Sequence, residues 1–191
     1  MKTITCSLLL LLTTLSASAQ GTINFNNRVT VAGIDAPITF GGVGLRGPDF
    51  LGQLFVLDPG SDSYEPVGGP TPFQSHPLLA GYINGGNTIV PFIAPGNDAT
   101  VVLRAWNAAA GSIWSEVLGR PNGIYGQTAP ITITLGGAGS PPSLPANLVG
   151  LNGAFMIPEP TTFALIVLGL GMLRLKQRDR TKRQSITSQV Q

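Results

Sequence analysis

Between Gln20 and Ile157 no stretch keeps the i, i+3, i+4 spacing of an amphipathic helix for three turns without meeting glycine or proline. Glycine costs roughly 1 kcal/mol in a helix interior and proline about 3, so long helices are excluded from this region. The 191 residues include 25 glycines and 16 prolines, a share below the roughly 25–30% at which disorder becomes the default. What remains is strand and turn. Ile23 and Phe25 alternate with Thr22, Asn24 and Asn26, and Ile131, Ile133 and Leu135 with Thr132 and Thr134. That period of two marks strands with one buried face. Residues 51–57 and 100–106 are richer in apolar side chains and suit central strands covered on both faces. Residues 78–83 and 88–93 flank Asn84-Gly85-Gly86-Asn87, which predicts a hairpin, with Pro91 pushing its second strand toward an edge. Residues 114–118 have room for one helical turn. The expected fold is mainly β, a β-sandwich or jelly-roll-like domain.

Charge is distributed by region. Of the eleven Lys and Arg, Lys2 is at the start and six follow residue 173. Between Gln20 and Ile157 only Arg28, Arg46, Arg104 and Arg120 remain, against Asp35, Asp49, Asp58, Asp62, Glu65, Asp98 and Glu116. The body is mildly acidic and has no lysine, so no nucleic-acid partner is expected, since that would need clustered cations on the folded part. The imbalance reads as a membrane-topology signal. The single cysteine, Cys6, precedes the body, which therefore carries neither disulfide nor thiol chemistry. A body of about 140 residues buries about two-thirds of its unfolded surface without staples.

The two ends explain the imbalance. Met1-Lys2, an apolar run centred on residues 8–12, and Ala17-Ser18-Ala19 form a secretory leader, with small residues where signal peptidase requires them. Cleavage after Ala19 leaves Gln20 first; Ala17, Ala19 and Gln20 define the peptidase site. A retained anchor would need a longer run, and a lipoprotein would need its cysteine just after the cut. At the other end, Pro158-Glu159-Pro160 leads into residues 163–173, which contain no polar side chain. A helix over 161–175 is about 22 Å long at 1.5 Å per residue, against a hydrocarbon core of about 30 Å. Snorkelling and local thinning absorb the difference. A surface-lying helix would need a polar face. The flank Arg174, Lys176, Arg178, Arg180, Lys182 and Arg183 stays inside by the positive-inside rule, with the body outside.

The Pro158-Glu159-Pro160-Thr161 motif, apolar helix, basic flank and leader together resemble the PEP-CTERM sorting signal of Gram-negative bacteria, over about residues 156–183. The match departs in a shorter apolar run and in a tail, 184–191, beyond the basic cluster. The resemblance implies recognition of Pro158, Glu159 and Pro160 by an exosortase (archaeosortase in archaea), an integral-membrane cysteine transpeptidase, and delivery to the cell surface or exopolysaccharide matrix. Residues 21–28, 99–107 and 131–137 resemble PEP-CTERM proteins of verrucomicrobial type, which implies no particular activity.

Candidate chemistry in the body is sparse. Gly42-Val43-Gly44-Leu45-Arg46-Gly47 matches the G-x-G-x-x-G pattern, but Pro48-Asp49 and a strand-like run follow where a phosphate-binding helix would have to begin; a flexible loop is expected. His76 is the only histidine, and one histidine without cysteine makes no usual zinc site. Asp58, Asp62 and Glu65 lie in a turn-rich segment that lacks EF-hand spacing, and read as a solvated turn. Glu116 near Trp114 is the most tempting glycosidase-type carboxylate, against a reading of Trp106 and Trp114 as core or edge aromatics. No catalytic residue, cofactor or metal is expected.

The resulting organisation is a leader over 1–19, a β-rich exported domain over 20–135, a Gly/Pro/Ser-rich linker over 136–157, a sorting signal over 158–183 and a polar tail. The expected function is that of a non-enzymatic envelope or matrix protein. Its expected partners are signal peptidase, the exosortase, the inner membrane and exopolysaccharide. The alternatives are a secreted carbohydrate-binding or carbohydrate-active protein, and a plain single-pass protein that no sortase processes.

Overall fold

In the computed structural model, which describes residues 20–120, 123–153 and 155–158, the alternation at the start of the body becomes strand β1, Gly21–Asn26, with every second residue buried. It is joined by β2 (Arg28–Val29), β3 (Ile34–Asp35), β4 (Thr39–Phe40), β5 (Val43–Gly44), β6 (Phe50–Asp58) and β7 (Ser63–Pro72). Then follow β8 (Asn84–Val90), β9 (Asp98–Asn107), β10 (Ile124–Gln127), β11 (Ile131–Thr134), β12 (Gly136–Gly137), β13 (Ala146–Asn147) and β14 (Phe155–Pro158). One four-residue helix, α1 (Trp114–Val117), interrupts them, where one turn was expected. The protein is mainly β.

β1 pairs antiparallel with β8 along one edge, and along the other with β12 (antiparallel) and β13 (parallel). A larger sheet runs in the order β5-β4-β14-β10-β9-β6-β7, with β11 also on β9. The long apolar strands β6 and β9 lie at its centre, paired over Phe50–Val56. β2 and β3 make a separate ribbon. Both larger sheets contribute to one apolar core. Ile23, Phe25 and Val90 come from the smaller; Leu54, Val56, Val101, Leu103 and Ile133 come from the larger; Ile34, Ile83, Leu148 and Leu151 are also part of it. Each such side chain stabilises the fold by roughly 1.5–3 kcal/mol relative to exposure.

A buried amide locks the end of β1 to its surroundings. Asn27 is fully buried. Its Nδ2 donates to the carbonyls of Ala36 (2.7 Å) and Gly81 (2.9 Å), and its Oδ1 accepts from Ile83 N at 2.7 Å. Three chain segments are thereby joined through groups that would each cost about 1–3 kcal/mol if buried unpaired.

Two expectations are corrected. Asn84-Gly85-Gly86-Asn87 forms no hairpin turn: residues 77–79 make a 3-10 turn, and the Asn-Gly run is itself part of β8, laddered on β1. The register shifts between Phe25 and Asn26, where Gly86 takes φ +72°, so the left-handed residue serves a bulge. β8 is an edge, as Pro91 suggested, but it stops at Val90 where a strand running on to residue 93 was expected. The supposed linker over 136–157 is woven into the fold. Gly136 and Gly137 pair with Thr22 and Gly21, Gly137 and Ser143 exchange two backbone hydrogen bonds of 2.9 and 3.1 Å, and Asn24 donates to Asn147 Oδ1 at 2.8 Å. Leu148 and Leu151 enter the core, and β14 lies between β4 and β10. The reason is steric. A Cβ at Gly136 would stand 1.7 Å from the Leu144 carbonyl oxygen, so the lack of side chains is what lets the backbones meet.

Candidate functional site

Strand alternation gives β9 two different faces. Val101, Leu103 and Ala105 belong to the main core. Val102, Arg104 and Trp106 point to the outer side, with Phe55 of β6 opposite Val102. Tyr64 sits opposite Leu57 on β7, and Tyr125 and Gln127 stand opposite Trp106 and Arg104 on β10. The segment after β9 folds back over this face. Ala108 N donates to Asp49 O (2.8 Å), Trp106 Nε1 donates to Gly111 O (3.0 Å), and α1 supplies buried Val117 and half-buried Trp114.

Trp114 is the hub of an aromatic cluster. Its ring lies edge-on to Tyr125 at 5.4 Å, Trp106 at 5.9 Å and Phe55 at 6.2 Å. Arg104 reaches into the cluster: its Cζ is 4.3 Å from the Phe55 ring centre, 5.0 Å from Trp114 and 5.6 Å from Tyr64. Its Nε donates to Gln127 Oε1 at 3.1 Å. Partial burial pulls the Arg104 pKa below its ordinary value, an effect that the neighbouring Tyr64 partly offsets. No carboxylate among the described residues pairs with it. Sequence reading singled out the two tryptophans but missed Arg104, Phe55, Tyr64 and Tyr125. The available signal was a charged residue at the centre of an outward-facing 102–104–106 triplet.

The sequence-predicted candidates have other duties. Glu116 accepts from Ser112 N (2.8 Å) and Ser112 Oγ (3.1 Å). Those bonds, the backbone one first, hold its carboxyl below the usual range, so it is an ionised acceptor bracing its loop, although it shares that loop with Trp114. Trp106 is fully buried, in keeping with a core aromatic. His76 Nδ1 accepts from Leu78 N (3.3 Å) and caps the 3-10 turn Pro77–Leu79. Asp58 closes the β6–β7 turn, accepting from Gly60 N and Ser61 Oγ at 2.9 Å each; Glu65 accepts from Ser63 Oγ at 2.6 Å. Among the described residues no group of three or more His, Cys, Asp or Glu is placed to hold a metal ion. The glycine motif forms a tight hairpin in place of a flexible loop: Gly41 and Gly42 turn at φ +57° and +81°, β4 pairs with β5, and Gly47 N donates to Phe73 O (3.1 Å).

Of the proposed processing residues, Gln20 is exposed at the start of the described chain. Pro158 closes β14, in register with Ile124. Ala17, Ala19, Glu159, Pro160, the helix over 161–175 and the flank from Arg174 to Arg183 lie outside the described residues. Among the described residues no helix is long and apolar enough to cross a membrane. No protein-family model, curated protein or solved structure matches the chain.

Proposed function

We propose that the chain is a non-enzymatic, exported cell-envelope or extracellular-matrix protein. A signal peptidase cuts it after Ala19, residues 161–175 hold it in the inner membrane, and an exosortase sorts it through Pro158, Glu159 and Pro160. The body is the exported module, a β-sandwich of jelly-roll-like design, in which two sheets share one core.

The observation that carries this reading is the position of β14. The sheet continues to Pro158, so the body reaches the first residue of the recognition motif with no tether between them, and the apolar segment with its basic flank follows at once in the sequence. The structural duties of Glu116 and His76 support a body whose tempting polar groups brace loops. The test is a chain ending at Pro158, which keeps β14, compared with the full chain in a host that has an exosortase. Full-length protein is expected at the envelope or matrix with a processed C-terminus and Gln20 first by mass spectrometry. The shortened chain is expected to be released. Retention of the shortened chain at the envelope, or a full-length product with residues 159–191 intact, rules the sorting reading out.

A second reading, as a carbohydrate-binding protein, is favoured by one feature: half-buried Trp114 and Tyr64 beside an arginine on an outer sheet face.

A further inference from the structure

The geometry points to a binding site for an acidic sugar on the outer face of the larger sheet, where Arg104 takes the sugar carboxylate between the rings of Tyr64 and Trp114. This site stands on the fold of the body and is independent of the sorting reading.

A guanidinium partly withdrawn from water is ordinarily compensated by a carboxylate. Arg104 has three aromatic rings and one neutral amide in that role. The one hydrogen bond its side chain makes among the described residues runs from Nε to Gln127, which leaves the four N–H groups of its two terminal nitrogens as a planar fork. Such a fork matches a carboxylate with two parallel bonds. The side chain remains partly exposed, beside exposed Gln127, so an anion can reach it. The rings fix the fork in place from the other sides, at 4.3, 5.0 and 5.6 Å, so little rotamer freedom is lost when it is used.

The surroundings favour a sugar acid over other anions. Tyr64 and Trp114 are half-buried and offer apolar ring surface suited to the C–H face of a pyranose. A nucleic acid or polyphosphate would call for several cations, whereas the body holds four arginines and no lysine over its whole length. Arg28 is engaged over the Tyr82 ring at 4.9 Å and Arg120 donates to Glu116 O at 3.0 Å. A single guanidinium flanked by rings, on an otherwise mildly acidic body, fits one carboxylate on one ring of a chain-like uronide. The nearest carboxylate in sequence to Trp114, Glu116, is held by Ser112.

The full-length protein in detergent micelles carries its own reporter, because Trp114 and Trp106 adjoin the site. Titration with an oligogalacturonate at low salt is expected to give a saturable change in tryptophan fluorescence. A neutral oligogalactose of the same length should bind at least about tenfold more weakly. Arg104→Gln should weaken uronide binding by about tenfold or more, with Arg104→Lys restoring only part of it, since a lysine makes no fork. Tyr64→Ala, on the outermost strand, should weaken binding with the melting temperature nearly unchanged, and carries the test if Arg104→Gln fails to fold. Absence of a saturable response, equal binding of the neutral sugar, unchanged affinity in folded Arg104→Gln or Tyr64→Ala, or binding of dextran sulfate as tight as that of the uronide overturns the proposal.

Discussion

The two faces of β9 are built by different means. Its inner residues Val101, Leu103 and Ala105 meet side chains from the distant strands β1 and β8 in the main core. Its outer residues Val102, Arg104 and Trp106 are covered by chain that follows immediately, through α1 and the rings of Trp114 and Tyr125. The inner cover is aliphatic and long-range. The outer one is local, aromatic and polar at its rim, and hangs on a single helical turn. Local covers of this kind can open without global unfolding. Most of the stability therefore sits on the inside of the strand, and a thinner, locally built cover on the outside.

The sharpest way to break this comparison is to cut both faces. Leu103→Ala should cost about 2–5 kcal/mol, seen as a lower denaturant midpoint with the transition still cooperative. Gly136→Ala, which drives a methyl group toward the Leu144 carbonyl and loosens the short strands beside β1, should cost about 1–3 kcal/mol by the same measurement. Trp114→Ala should cost less, about 1–2 kcal/mol, through lost ring contacts. Its effect should be confined to faster hydrogen exchange over 108–120 while the amides of β6 keep their protection. If Trp114→Ala proves as damaging as Leu103→Ala, the two faces are not energetically distinct.

The smallest expected effect is an acid one. Because the folded Glu116 carboxyl lies below its ordinary value of 4.5, its bonds to Ser112 contribute fully above that value and are lost as pH falls through the folded pKa. Tryptophan fluorescence should change in that acid window, with the loop around Trp114 loosening, and Glu116→Gln should flatten that part of the profile.

The repeating features of the fold were legible in the sequence. Alternation in β1 and β11 and the apolar runs of β6 and β9 declare themselves because one side chain in two, or nearly all, must leave water. What escaped was the glycine-rich structure. Asn84–Asn87 looks like a turn because its residues tolerate positive φ, yet a bulge has the same need. Residues 136–157 look like a tether because they lack apolar alternation, yet there the backbone itself is the packing surface. The outer-face cluster escaped for another reason: Phe55, Tyr64, Arg104, Trp114 and Tyr125 come from five separate elements, and only strand register and the fold-back of α1 bring them together. Trp114 carried a partial hint, and pairing it with Glu116 followed sequence proximity where the useful neighbour was Arg104.

The seat of β14 between β4 and β10 also has a consequence in time. β4, near the start of the body, has to wait for a partner more than a hundred residues downstream before the large sheet closes around it. As the chain grows from its N-terminus, the early half of the domain therefore emerges with the β4–β5 hairpin unmatched along one side, and an unmatched edge invites pairing with other chains. Closing a loop of that length is slow compared with forming a hairpin, so arrival of the last strand sets the moment at which a newly made molecule becomes safe from its neighbours.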